Sequence, residues 1–104
     1  MIVFECEHNS GKRKQHWSGE LRVISQKEKQ MEAEVNVDGS YYHLIIGNHK
    51  YGNYLCIPNW DIGCELSSYG DTFWNTERIS KHLRMRAAIS IAMAVKAAGS
   101  TMSE

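Results

Sequence analysis

From Met31 to Val37 the chain alternates without a fault. Met31, Ala33, Val35 and Val37 are apolar, while Glu32, Glu34 and Asn36 are polar. A period of two with one apolar and one polar side predicts a β-strand with one buried and one wet face, the habit of antiparallel sheets. Asp38-Gly39 follows directly and supplies a hairpin turn. Ser40 to Ile46, rich in Tyr, Leu and Ile, then returns as the next strand. Such a hairpin must find an apolar cover for its inner side.

The end of the chain offers that cover. Ala87 to Ala98 is apolar nearly all round and built from good helix formers, and Gly99 reads as its stop. A helix without a polar face packs against a sheet or against a second subunit, so a homodimer through this helix is an open possibility. Asn75-Thr76 ahead of Glu77-Arg78 opens a helical segment, with Ile79, His82 and Leu83 on its inner side. Ser100 to Glu104 reads as a frayed end. Upstream, Met1 to Glu7 and Trp17 to Ser25 read as strands, separated by the turn Asn9-Ser10-Gly11 and the exposed Lys12-Arg13-Lys14. Gln26 to Gln30 is a polar turn and Gly47 to Gly52 a loop. Asn53 to Ile57 is a further strand, closed by Pro58. Asn59 to Gly70 has no period. The expectation is one domain over the 104 residues: strands over about 2–57, an irregular segment over 58–74 and helix over 75–98. That is an α+β fold, an antiparallel sheet of four to five strands with the helical part on one face.

A chain of this length buries only about 60–70% of the surface its unfolded form exposes, so a staple would help. Cys6 and His8 lie two apart in a strand and share a face; Cys56 and Cys64 flank Ile57 to Gly63. Three thiols and one imidazole make a tetrahedral zinc set, giving a structural Zn²⁺ on Cys6, His8, Cys56 and Cys64. His16, His43 or His49 could stand in for His8. The competing readings are cysteines as small buried hydrophobes and a Cys56–Cys64 disulfide. The odd number of cysteines argues against a disulfide framework.

Enzymatic readings find less support. Three thiolates suit a closed structural site, and Glu5 and Glu7 point to the strand face opposite Cys6. The His-x-Glu and Pro-Cys-x-x-Cys pair of zinc deaminases does not occur. Cys56 or Cys64 could pair with His43 or His49, but no helix start follows either thiol to activate it. No glycine-rich phosphate loop is present. The expectation is a protein that is not an enzyme.

Charge is balanced but unevenly placed. Twelve bases meet twelve acids, which argues against a general nucleic-acid binder and against an acidic DNA mimic. From Glu32 to Glu77 there are seven acids and one base; from Arg78 to Lys96 there are five bases and no acid. The bland reading is two solvated faces; the sharper one is a bipolar surface matched to a partner. The aromatic-rich stretch coincides with the acidic one, which repels phosphate and favours a protein interface. Its candidates are Trp60, Asp61, Glu65, Tyr69, Asp71, Phe73 and Trp74, together with the strand-exposed Glu32 and Glu34. A nucleic-acid regulator using Lys12 to Lys14, Arg78, Lys81, Arg84 and Arg86 is the rival reading. Met1-Ile2-Val3-Phe4-Glu5 meets an acid at once, unlike a signal peptide, and no apolar run approaches the ~20 residues of a membrane span. A cytoplasmic protein with reduced thiols is expected.

Cys56-Ile57-Pro58-Asn59-Trp60, Gly63-Cys64-Glu65-Leu66 and Asp71 to Arg78 resemble a family of small proteins of Gram-positive gut bacteria and their mobile elements. Phe4 to His8 and Trp17 to Leu21 fit its opening, and the likeness runs to about Leu83. In size, strand-then-helix order and Cys/His content the chain is also similar to small metal-binding anti-CRISPR proteins, encoded by phages and mobile elements, that inhibit Cas9. That resemblance implies a non-enzymatic inhibitor that binds the Cas9 protein in the host cytoplasm and blocks target-DNA loading or cleavage.

Overall fold

The computed structural model describes residues 1–50, 52–67 and 77–102. Six strands form one antiparallel sheet in chain order: β1 (Ile2–Ser10), β2 (Arg13–Gln26), β3 (Gln30–Val37), β4 (Ser40–His49), β5 (Gly52–Ile57) and β6 (Ile62–Ser67). A 3-10 turn, Pro58–Trp60, separates β5 from β6, and two helices follow, α1 (Glu77–Ser80) and α2 (Leu83–Met102). The fold is α+β, with one strand more than the sequence predicts.

The 31–37 alternation becomes β3 as expected. Met31, Ala33, Val35 and Val37 are fully buried on the inner face, beside Leu21 of β2 and Leu44 of β4. The β3–β4 turn has both central residues left-handed, Asp38 at φ 47° and Gly39 at φ 89°. The Asn36 side chain closes it by accepting from the Gly39 N–H at 2.9 Å.

Helix α2 lies across β2, β3 and β4. Met85, Ala88, Ile89 and Ala92 are buried beneath it, the spacing of one helical stripe. Ser90, Ala94, Ala97 and Ala98 face outward. The sheet is thus the cover for the apolar segment. The helix continues through Gly99 to Met102 rather than stopping there.

Two further departures have physical causes. Gly47 to His49 extends β4 instead of forming a loop, because the bare Gly47 makes room for a ring. A Cβ there would lie 2.2 Å from the Tyr54 side chain, and the Tyr54 hydroxyl passes over it to donate to Gln30 Oε1 at 2.6 Å. A cross-strand aromatic restores the cover a strand glycine lacks. The segment after Pro58 then turns back and pairs as β6. Its period is broken by a register shift between Leu55 and Ile57.

Cys56 and Cys64 form a disulfide between these two strands, with Cα atoms 4.5 Å apart. That is the separation of a non-hydrogen-bonded antiparallel pair. The bond closes a short loop at the sheet edge, worth about 2.5 kcal/mol by chain entropy. Reduction, or Cys64→Ser, is therefore expected to lower the denaturant midpoint, while a chelator leaves it unmoved. A zinc staple would give the opposite pattern.

Candidate functional site

Among the described residues, helix covers only the inner face of the sheet. On the outer face, register aligns Arg22 of β2 with Glu34 of β3 and His43 of β4. The Arg22 guanidinium donates to Glu34 Oε2 at 2.6 and 3.1 Å. Tyr41, 44% exposed, stands beside the same carboxylate and helps to hold it ionised. Glu32 sits one pair along and meets His43 Nε2 diagonally at 2.5 Å. Glu20 lies exposed beside Arg22, and Glu5 and Glu7 of β1 continue the same face. Val3, 74% exposed, and the half-buried Ile45 give it apolar contact area.

The middle of this face is held by the 3-10 turn. Strand β5 pairs with β4 only over Ile45 to His49, so the first half of β4 has lost its ladder on that side. Asn59 replaces it, accepting from the His43 N–H at 2.8 Å and donating to the Tyr41 carbonyl at 2.9 Å. The Trp60 indole N–H donates to the same carbonyl at 2.9 Å. Backbone groups of β4 are thereby satisfied, and Tyr41 and His43 are fixed in place.

Charge tunes the site. The hydrogen bonds from Arg22, then the neighbouring Tyr41, hold the Glu34 carboxyl below the usual carboxylate range. A depressed acid stabilises the fold above its unfolded value, and that contribution is lost as pH falls through the folded one. Arg22→Ala is expected to return the Glu34 titration upward toward the ordinary range, read by NMR of its carboxyl carbon. An unmoved titration would refute the assignment.

The opposite layer carries the other sign. Arg78, Lys81, Arg84, Arg86 and Lys96 all belong to α1, α2 or the residues joining them. Trp60 turns its ring to this side, stacking on Tyr42 at 5.1 Å between centroids and meeting His82 at 5.7 Å. Asp61 stands at the turn's left-handed end, its carbonyl accepting from Arg78 at 2.6 Å. Glu65 is half-buried on β6. The predicted acidic-aromatic surface is therefore divided: Glu32 and Glu34 lie on the outer face, and Trp60 lies with the bases. Tyr69, Asp71, Phe73 and Trp74 fall outside the described residues.

Of the predicted zinc ligands, Cys6 is held apart from Cys56 and Cys64. Cys6 is on edge strand β1 and Cys56 on β5, with three strands between them, roughly 19 Å along the sheet. Cys56 and Cys64 are bonded to each other, which also corrects the expectation of wholly reduced thiols. The side chains of His8 and His49 fall outside the described residues. His16 and His43 project from the outer face, opposite the side Cys6 occupies, so neither replaces His8 beside it. Among the described residues no group of three or more His, Cys, Asp or Glu is placed to hold a metal. Cys6 is a free thiol, and burial followed by the Asp38 charge pushes its pKa up, which disfavours the thiolate a metal needs. No helix among the described residues is long and apolar enough to cross a membrane.

Sequence reasoning missed Arg22, Tyr41 and His43 as parts of one cluster. The signal was available only in register: each is an outward position on a strand beside Glu32 or Glu34. Residues 2–103 match the family of unknown function DUF6618, and the chain belongs to that family. No curated protein and no solved structure matches it.

Proposed function

We propose that this DUF6618 chain is a non-enzymatic binding module that holds a basic surface of another protein against the open face of its sheet. One observation carries the reading. Glu5, Glu7, Glu20, Glu32 and Glu34 share the outer face with two bases among the described residues, Lys14 and Arg22, while Arg78, Lys81, Arg84, Arg86 and Lys96 lie in the helical layer. Segregated charge of this kind steers an oppositely charged partner and fixes its orientation. Tyr41, Ile45 and Val3 add the aromatic and apolar contact that a lasting interface needs. The two thiols a nucleophilic mechanism would draw on are tied to each other, which also favours binding over catalysis.

The anti-CRISPR resemblance supplies a candidate partner, Cas9, whose guide–target duplex runs in a positively charged channel. The sheet face would block target-DNA loading by occupying basic protein surface there. The test is co-purification of the tagged chain with Cas9, with and without guide RNA, alongside a target-cleavage assay. Retention of Cas9 together with slowed cleavage is expected. Cas9 that is neither retained nor slowed would overturn this choice of partner.

A further inference from the structure

The bases of the helical layer do not stand alone. Two hollows, each of about 310 Å³, meet at Trp60, Lys81 and His82. One is completed by Trp17, Ser40, Tyr42, Leu83 and Arg84, and the other by Ile62, Arg78 and Met85. The Trp60 ring is 38% exposed at their junction. The Arg84 guanidinium lies 5.5 Å from the Trp17 ring centre, a planar cation held on an aromatic face. Arg78, Lys81, His82 and Arg84 are all exposed along the rim.

From this arrangement we infer that the cleft binds single-stranded nucleic acid, with phosphates along the cationic rim and bases against the Trp60 and Trp17 rings. Zero net charge argues against such binding only if the cations are dispersed, and here Arg78, Lys81, His82 and Arg84 gather on one rim. A positive groove interleaved with aromatic rings is the recurrent design for single strands, since every base has a face to stack. An acidic peptide would use the cations but leave the rings without a role. A duplex would need an element to enter its groove, and the apolar stripe of α2 is already spent on the sheet. The two joined hollows match two successive nucleotides better than one free nucleotide. The inference is independent of the proposed protein partner, because Glu32 and Glu34 lie on the other side of the sheet.

The test is fluorescence anisotropy of a labelled oligothymidylate with the intact chain at low salt. Binding should weaken with salt at a logarithmic slope near about −2, as for three phosphate contacts to a single strand. Trp60→Ala should weaken it about tenfold or more. The exposed pair Lys81→Glu with Arg84→Glu should do the same without relying on a core position. Glu32→Gln with Glu34→Gln should leave it unchanged. No binding at low salt, binding indifferent to Trp60 and to the charge pair, or equal competition by polyglutamate would overturn the inference. A mononucleotide or a duplex that competes as well as the single strand would overturn it too.

Discussion

Gly19→Ala is expected to destabilise the protein by about 3 kcal/mol, the upper part of the range for overpacking a tight core. Gly19 lies on β2, paired with Phe4 on one side and Val37 on the other. A Cβ built there would sit 1.8 Å from the Asn36 carbonyl oxygen and 3.0 Å from the Phe4 ring. The nearest obstacle is backbone, which cannot swing aside as a side-chain tip can. Accommodating a methyl means prying β3 from β2 at the centre of the sheet. A thermal midpoint lower by roughly 15 °C is expected for a domain of this size. Gly63→Ala is the matched control, since nothing lies within 4 Å of its Cβ position. A midpoint for Gly19→Ala equal to that of the control would mean that the strands do not approach as described.

Glu32→Lys with Glu34→Lys is expected to weaken partner binding at least about 30-fold, or roughly 2 kcal/mol, because like charge facing like charge costs several kcal/mol at an interface. Both carboxylates sit on an open face, so the fold should survive their reversal. The loss should appear first as slower association and as a flattened salt dependence. Arg22 would lose its partner in the same variant, so Arg22→Glu on top of the reversal should recover the salt bridge without recovering binding. Unchanged affinity in the double reversal would move the contact off this face.

The strands that alternate were legible, and the helix that covers them was legible as apolar. The hairpin at Asp38-Gly39 is fixed by local chemistry, since an Asp-Gly pair tolerates the left-handed backbone both positions adopt. What escaped was long-range. Strand β6 shows no period because Cys64 turns outward to meet Cys56 while the register slips beside it. Gly47 reads as a turn residue until the Tyr54 ring is seen to lie over it. The separation of Cys6 from Cys56 and Cys64 is a matter of topology. Two residues on one strand face can be placed together from sequence, but which strands neighbour each other cannot, and this order puts β1 and β5 apart. The charge separation was visible along the chain as an acidic stretch and a basic one. That Glu32 and Glu34 would lie on the sheet face opposite the basic stretch depends on α1 and α2 folding back over the inner face.

A photo-crosslinking amino acid placed at Tyr41 on the outer face, and separately at Ala94 on the exposed side of α2, reports which layer touches the partner. In complex with guide-loaded Cas9, position 41 should yield the covalent adduct and position 94 should not. An adduct from 94 alone, or from neither, would contradict a binding surface built on the open side of the sheet.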